Sequence, residues 1–255
     1  MSNVIRAAYA DTIRFIWNLR HTTRAIFNQD PRIVHQGIQR SGTNYLRVLL
    51  NRSGFFVLNE VDPKRHKPQH KHCRWQDDKQ SIVMDVRYRN QHFADSIEEL
   101  NKICGYQEKQ KHVLIFKTPA NWLESIQRWG IANHWFSESN DFFGDPRLAV
   151  AYLNEWDQYH LKWELLAGAS PGMLLILHFE SVLKDPENAM LTICEFYGVE
   201  KKIDLKNEGR IEKVRHSKKD FKNREKVIDE RFVNIVDENI DFSWRNYTGM
   251  QTDNY

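Results

Sequence analysis

Residues 37–45 read Gly-Ile-Gln-Arg-Ser-Gly-Thr-Asn-Tyr and follow the apolar run Arg32-Ile33-Val34-His35-Gln36. These residue types in this order can cradle a phosphate. Gly37 and Gly42 permit tight turns and close backbone approach to a ligand. The N–H groups of Ser41 to Asn44 stand at a helix start, where unpaired donors and the helix dipole favour an anion. Ser41 and Thr43 add hydroxyls, and Arg40 can grip a phosphate through two parallel hydrogen bonds. The Walker A loop has Gly-x-x-x-x-Gly-Lys-Ser/Thr, whose lysine reaches the outer phosphates and whose hydroxyl holds Mg²⁺. Here Gly37 and Gly42 have that separation, but Thr43 follows Gly42 directly and no lysine stands between them. The positive charge sits inside the loop instead, at Arg40. The plainer alternative is a glycine turn into a helix capped by Ser or Thr, with no ligand at all.

Strands and helices around this loop must place it. The run 32–36 reads as a buried strand, 45–52 as a helix ending at Gly54, and 55–59 as a second short strand. Ser96 can cap a helix over 96–104, with Ile97, Leu100 and Ile103 on one face. Residues 112–117 form a continuous apolar run, as in a parallel strand covered on both faces. Pro119 opens a helix through Trp129. An amphipathic helix is expected over 147–167, with Val150, Leu153, Trp156 and Trp163 as its buried stripe. A further strand at 174–179 leads to a helix over 187–197, closed by Gly198. Alternating strands and helices predict a three-layer α/β/α fold with a mainly parallel central sheet and a P-loop-like nucleotide-binding architecture. Ligands in such sheets bind at the carboxyl ends of strands, where Arg40, Lys117 and Glu180 fall.

At 255 residues and a formal charge of +3, the chain is long enough for one α/β domain and too mildly basic to imply nucleic acid. Residues 31–255 are read as a single domain, and 1–30 as a helical extension packed on it. That extension carries Arg6, Arg14, Arg20 and Arg24 beside Ile13, Phe15, Ile16 and Trp17, a pattern that also suits a membrane surface. No apolar run reaches the length of a transmembrane segment. Asp11 and Arg14 interrupt the apolar start, so no secretory leader is expected. Three dispersed cysteines, Cys73, Cys104 and Cys194, suit a reducing, cytoplasmic setting.

Three segments carry a family resemblance. They are Gly37 to Thr43, then Lys117-Thr118-Pro119-Ala120-Asn121-Trp122-Leu123-Glu124-Ser125, then His178-Phe179-Glu180-Ser181-Val182-Leu183-Lys184-Asp185-Pro186, closing with Phe196-Tyr197-Gly198. In this order they resemble the sulfotransferases that use 3′-phosphoadenosine 5′-phosphosulfate (PAPS). The resemblance covers roughly residues 32–198. It implies transfer of a sulfuryl group to an acceptor hydroxyl on a glycan, lipid or small molecule, with PAP released and no metal required. It also implies that Gly37, Gln39, Arg40, Ser41, Gly42, Thr43 and Asn44 hold the 5′-phosphosulfate, with Arg40 catalytic. Lys117 and Ser125 would hold the 3′-phosphate. Lys117 stands where the family has arginine, keeping the charge and losing the bidentate fork. Phe179 replaces the family's frequent tyrosine and keeps an aromatic face for the adenine. Glu180 and Asp185 read as structural caps rather than catalysts.

The proton acceptor is less defined. The family's cytosolic members carry Lys-x-His on one strand, and His70 and His72 would share one face of an extended stretch while Lys71 points away. His72 is therefore the favoured base, with His70 in the supporting place. Other branches use a glutamate after the second strand, where Glu60 stands. An imidazole is partly neutral near pH 7, whereas a carboxylate there needs surroundings that favour its protonated form. A metal cluster of His66, His70, His72 and Cys73 lacks a recognised ligand spacing. Residues 201–226 hold eleven Lys/Arg against five Asp/Glu, either a solvated basic face or a cover for the 3′-phosphate. Trp129, Trp135, Phe136, Phe142 and Phe143 read as an acceptor wall or as core. Two other functions use the same scaffold: a P-loop kinase or NTPase, and a non-catalytic module binding nucleotide or anionic glycan. Acceptor class and oligomeric state are not legible.

Overall fold

Ile33, Val34, His35 and Gln36 are all buried in strand β1 (Arg32–Gln36), which requires cover on both faces of the sheet. A computed structural model describes residues 30–60, 68–72, 94–132, 142–200 and 228–240, together with Thr12, Phe15, Ile16, Leu19 and Thr23. After β1 come α1 (Thr43–Arg52), β2 (Phe56–Val57), α2 (Ile97–Cys104), β3 (His112–Phe116), α3 (Pro119–Ala132), α4 (Pro146–Ala169), β4 (Leu174–His178), α5 (Phe179–Lys184), α6 (Pro186–Tyr197) and α7 (Glu230–Asn239). The four strands lie in the order β2-β1-β3-β4, and every pair is parallel. Gln36 pairs with Leu114 and Phe116 with His178, so the carboxyl ends of β1, β3 and β4 are neighbours.

Alternate strand residues feed two cores, because successive side chains leave a strand on opposite faces. Ile33, Val113 and Ile115 pack with Leu46, Leu49 and Leu50 of α1 and with Met190 and Ile193 of α6. Leu114 and Phe116 pack on the other face with Leu100 of α2, Trp122 and Leu123 of α3, Trp156 and Trp163 of α4, and Phe232 of α7. The result is the three-layer α/β/α arrangement expected from the alternation of elements. Among the described residues, no helix is long and apolar enough to cross a membrane.

Local chemistry fixes most boundaries. Ser96 accepts from the Glu99 amide at 3.1 Å, and Gly105 closes α2 at φ 70°. Asp185 caps α6 by accepting from the Asn188 amide at 3.0 Å, and Gly198 ends it at φ 66°. On α4 Leu153, Trp156 and Trp163 of the expected stripe are buried, while Val150 is only half-buried and its neighbour Ala149 is buried in its place. The second strand stops at Val57 instead of reaching Asn59. Asn59 turns its side chain onto β1, where Oδ1 accepts from the His35 amide at 3.2 Å and Nδ2 donates to the His35 carbonyl at 2.7 Å. The Asn59 side chain thus supplies the pairing that more β2 backbone would have given. Two helices lay outside the expectation. α5 begins directly at Phe179, and α7 follows the Asp229 cap with Phe232 and Val236 buried one turn apart.

Two core histidines are held neutral. His35 Nδ1 lies 3.0 Å from Asn59 Oδ1, and burial, aided by the nearby Lys71 charge, drives its pKa down to about 3. Burial alone does the same to His112, also to about 3, while its Nε2 donates to Asn101 Oδ1 at 2.7 Å. The unfolded chain therefore binds more protons than the folded one between pH ~6.5 and ~3, so stability is complete above that window and falls as pH is lowered through it. Each histidine should add a slope of up to about 1.4 kcal/mol per pH unit within the window. Urea unfolding between pH 7.5 and 4.5 should show this loss, with one proton's slope missing in His35→Gln. Equal slopes for the two proteins would contradict the assignment.

Candidate active site

The loop after β1 opens into α1 without any capping side chain. Gly42 is the N-cap residue at φ 100°, and its carbonyl accepts from the Tyr45 and Leu46 amides at 2.9 and 3.1 Å. Neither Ser41 nor Thr43 caps the helix through its side chain, contrary to that part of the capped-helix alternative. The Ser41 amide donates to the Ile38 carbonyl at 3.1 Å, while Ser41 Oγ is buried with no hydrogen-bond partner among the described residues. An orphaned buried hydroxyl beside uncapped helix amides is the environment an anion would satisfy. Both glycines are required by space. A Cβ at Gly37 would overlap Ser41 Oγ and the Ile115 carbonyl, and one at Gly42 would overlap the Phe179 ring. The residues present therefore fit a bound phosphate group.

Arg40 adopts φ 70°, a left-handed conformation unusual for a side-chain-bearing residue. Its guanidinium carbon lies 5.9 Å from the Trp129 ring centroid. Partial desolvation, reinforced by the Arg128 charge, shifts its pKa below the usual arginine value, and both effects would be relieved by an anion. The loop is tied to α3 through buried Trp122, whose Nε1 donates to the Gln39 carbonyl at 2.7 Å.

Lys117 and Ser125 meet as their spacing predicts. Lys117 follows the last residue of β3, and its Nζ lies 3.4 Å from Ser125 Oγ on α3. The same Nζ stands 4.7 Å from the Phe179 ring centroid. Phe179 also packs edge-on against Tyr45 of α1 at 6.0 Å. One ring thus borders both the loop glycine and the lysine. Glu180 does not cap a helix. It sits in the first turn of α5, where Thr118 Oγ1 reaches its Oε1 at 3.5 Å. Burial raises the Glu180 pKa, and the Lys117 charge opposes that rise.

Residues 68–72 dock beside the loop through Gly37. The Gly37 amide donates to the Lys71 carbonyl at 3.1 Å, and His72 Nδ1 lies 2.7 Å from the Gly37 carbonyl. A carbonyl can only accept, so Nδ1 carries the proton and the neutral ring keeps its lone pair on Nε2. His70 is buried, and its Nδ1 accepts from the His72 amide at 3.1 Å. The stretch is a turn and not extended, so the expected shared face becomes two tilted rings with centroids 5.2 Å apart. For the same reason Lys71 does not point away: its Nζ donates to Asn44 Oδ1 at 2.5 Å, at the start of α1. Glu60 is engaged elsewhere, accepting on Oε1 from Arg47 Nη1 at 3.1 Å and Asn51 Nδ2 at 3.0 Å.

Of the five aromatics read as wall or core, Phe142 is core, Phe143 packs on Phe232, and Trp129 faces Arg40. Trp135, Phe136, His66, Cys73 and the basic stretch 201–226 lie outside the described residues. Sequence reasoning did not foresee the roles of Trp122, Trp129 and Lys71. No spacing rule tells a tryptophan that braces a loop from one that fills a core.

No protein-family model matches the chain, and no characterised protein sequence matches it. Its fold is similar to solved sulfotransferase structures. One is a sulfotransferase from Alicyclobacillus acidocaldarius, at 14% identity over 70% of this chain and 86% of that one, with a TM-score of 0.44. A second is the sulfotransferase domain from the curacin biosynthetic pathway, at 12% identity over 82% and 97%, with a TM-score of 0.46. A third is a mouse sulfotransferase complexed with PAP, at 14% identity over 86% and 78%, with a TM-score of 0.40. These likenesses are remote, and the functional reading rests on the residues of this chain.

Gly42 and Gly105 both have positive φ, but a Cβ at Gly105 meets nothing within 4 Å. Gly105→Ala should therefore lose only the left-handed backbone term of about 1–2 kcal/mol, whereas Gly42→Ala should lose a further ~1–3 kcal/mol from overlap with Phe179. Chemical denaturation of the two variants measures the difference. Equal losses would mean that Phe179 does not rest on the loop.

Proposed function

We propose that the protein is a PAPS-dependent sulfotransferase acting on an acceptor hydroxyl. The observation that carries this reading is the joining of two cationic subsites by one aromatic ring: the Arg40 loop and the Lys117–Ser125 pair both border Phe179. A nucleotide with phosphates at both its 5′ and 3′ positions needs two such subsites, and a nucleoside triphosphate needs one. The loop also lacks the lysine that a Mg²⁺-nucleotide site would carry after Gly42.

In this reading Arg40, Ser41, Thr43, Asn44 and the first amides of α1 hold the 5′ end, with Gly37 and Gly42 giving the backbone room to approach. Lys117 and Ser125 hold the 3′-phosphate, and Phe179 offers its ring to the base. The donor, when bound, supplies a sulfuryl group on a phosphate leaving group. The chain's own task is to accumulate positive charge where that leaving group gains negative charge, which Arg40 and the helix start do without reorganising. His72 removes the acceptor proton at Nε2. Its Nδ1–H, held by the Gly37 carbonyl, keeps the ring in the tautomer that leaves Nε2 basic. His70 supports that placement through the His72 amide. Glu60 belongs to the packing of α1, through Arg47 and Asn51. Buried thiols at Cys104 and Cys194 agree with a reducing, cytoplasmic setting.

Two measurements test this. PAP should bind at least about tenfold tighter than AMP by calorimetry, a difference of ~1.4 kcal/mol, and Lys117→Ala should erase it. Equal affinities in the unaltered protein would sink the second subsite. In a labelled-PAPS transfer assay, His72→Ala should lower kcat by about 100-fold or more, while Glu60→Gln stays within a few-fold of the unaltered enzyme. The opposite ranking would make Glu60 the base, and ATP hydrolysis stimulated by Mg²⁺ would replace the reading with a P-loop NTPase.

A further inference from the structure

Ser125 and Trp129 stand one turn apart on the same side of α3, and they serve different parts of the site. Ser125 Oγ lies 3.4 Å from Lys117 Nζ, whereas the Trp129 ring lies 5.9 Å from the Arg40 guanidinium carbon. Along α3 the order therefore runs from the subsite assigned to the 3′-phosphate towards the cation assigned to the 5′ end. The second half of the helix borders the place where the sulfuryl group departs, and a molecule bound there is the one that receives it. Arg128 belongs to that half and shares the side of Ser125, three residues on. Its side chain is 61% exposed, and its acidic partner among the described residues is Glu124, with Nη1 3.9 Å from Oε1. An exposed pair at that distance holds the guanidinium weakly, and most of its donors remain directed to solvent. Arg128 is also near enough to Arg40 for its charge to add to desolvation in lowering the Arg40 pKa. Two arginines and a half-buried indole thus share one corner of the site.

We propose, resting on the sulfotransferase reading, that the acceptor is itself an anion, a hydroxyl compound whose carboxylate or similar oxyanion pairs with Arg128. The Trp129 indole gives an apolar surface beside that pair. Arg128 makes and breaks no bond; it selects the molecule whose hydroxyl is offered for transfer. The donor's own charges are answered elsewhere, by Arg40 with the loop amides and by Lys117 with Ser125. A neutral acceptor would leave Arg128 to solvent and its repulsion of Arg40 standing. An anionic acceptor answers both, and its planar oxyanion matches the guanidinium fork.

The test uses para-hydroxybenzoate and its methyl ester, which share a ring and a hydroxyl and differ by one charge. Titrated calorimetrically into the PAP-saturated protein, the carboxylate should bind at least about fivefold tighter than the ester. Arg128→Gln should bring the two within about twofold of each other, with PAP affinity within about threefold of the unaltered protein. Its melting temperature should not change, because the side chain is mostly in solvent. Glu124→Gln, which removes the charge competing for Arg128, should tighten the carboxylate by about two- to fivefold and leave the ester unaffected. An ester that binds as well as the carboxylate, no binding of either, or a preference that survives Arg128→Gln would overturn the proposal. A large loss of PAP affinity in Arg128→Gln with the preference intact would assign Arg128 to the donor and equally overturn it. PAP binding well above AMP with no carboxylate preference refutes the anionic acceptor alone, whereas equal PAP and AMP affinities refute the donor site beneath it.

Discussion

The ring of Phe179 lies where a Cβ on Gly42 would have to go, and the rest of the site is arranged around that contact. Because residue 42 lacks a side chain, the first residue of α5 can lie over the start of α1. Because it does, Lys117 at the end of β3 finds an aromatic face beside it. The three strand ends supplying these residues are neighbours only because β1, β3 and β4 run parallel and in adjacent order. A parallel sheet needs helical crossovers to return the chain, so the sheet that collects the site residues also demands the helices that cover it.

Helix α3 acts as the rigid member of the assembly. It begins two residues beyond Lys117, carries Ser125 to meet that lysine, sends the Trp122 indole N–H to the Gln39 carbonyl and sets Trp129 beneath Arg40. Both proposed anion subsites are therefore referenced to one helix, whose apolar residues are anchored in the core under the sheet. Such anchoring matters for electrostatic catalysis, which depends on charges that need not move as the reaction proceeds. The left-handed backbone at Arg40 is a local cost of about 1–2 kcal/mol, tolerated where the surrounding packing determines the loop shape.

The histidine segment is attached more economically, through the two polar groups of one peptide residue. The Gly37 amide and carbonyl engage Lys71 and His72, so the residue that gives the loop its turn also orients the proposed base. Glu60 shows the converse. It has the residue type a base requires, but its carboxylate answers an arginine and an asparagine on α1, and its position is accounted for by packing.

Much of the fold was legible in the chain. The apolar runs 32–36, 112–117 and 174–179, the Ser96 and Asp185 caps and the closing glycine 198 each express a local rule that holds without knowledge of the rest. The convergence of Lys117 and Ser125 was legible as well, because a strand end and the following helix are joined by a turn too short to allow alternatives. The roles of residues 68–72 were not, since an extended reading and a turn give opposite directions to Lys71, and hydrogen bonds to Gly37 decide between them. The end of β2 escaped for a similar reason, as the Asn59 side chain, bonded to His35 24 residues earlier, took over the pairing. By itself the sequence determined which groups exist, a loop with its cation at Arg40 and two glycines, because those are properties of residue type and short spacing. Only the tertiary structure decided that Phe179 joins that loop to Lys117, that Trp129 underlies Arg40 and that Glu60 pairs with Arg47 and Asn51, because each depends on contacts between segments whose meeting is set by the sheet.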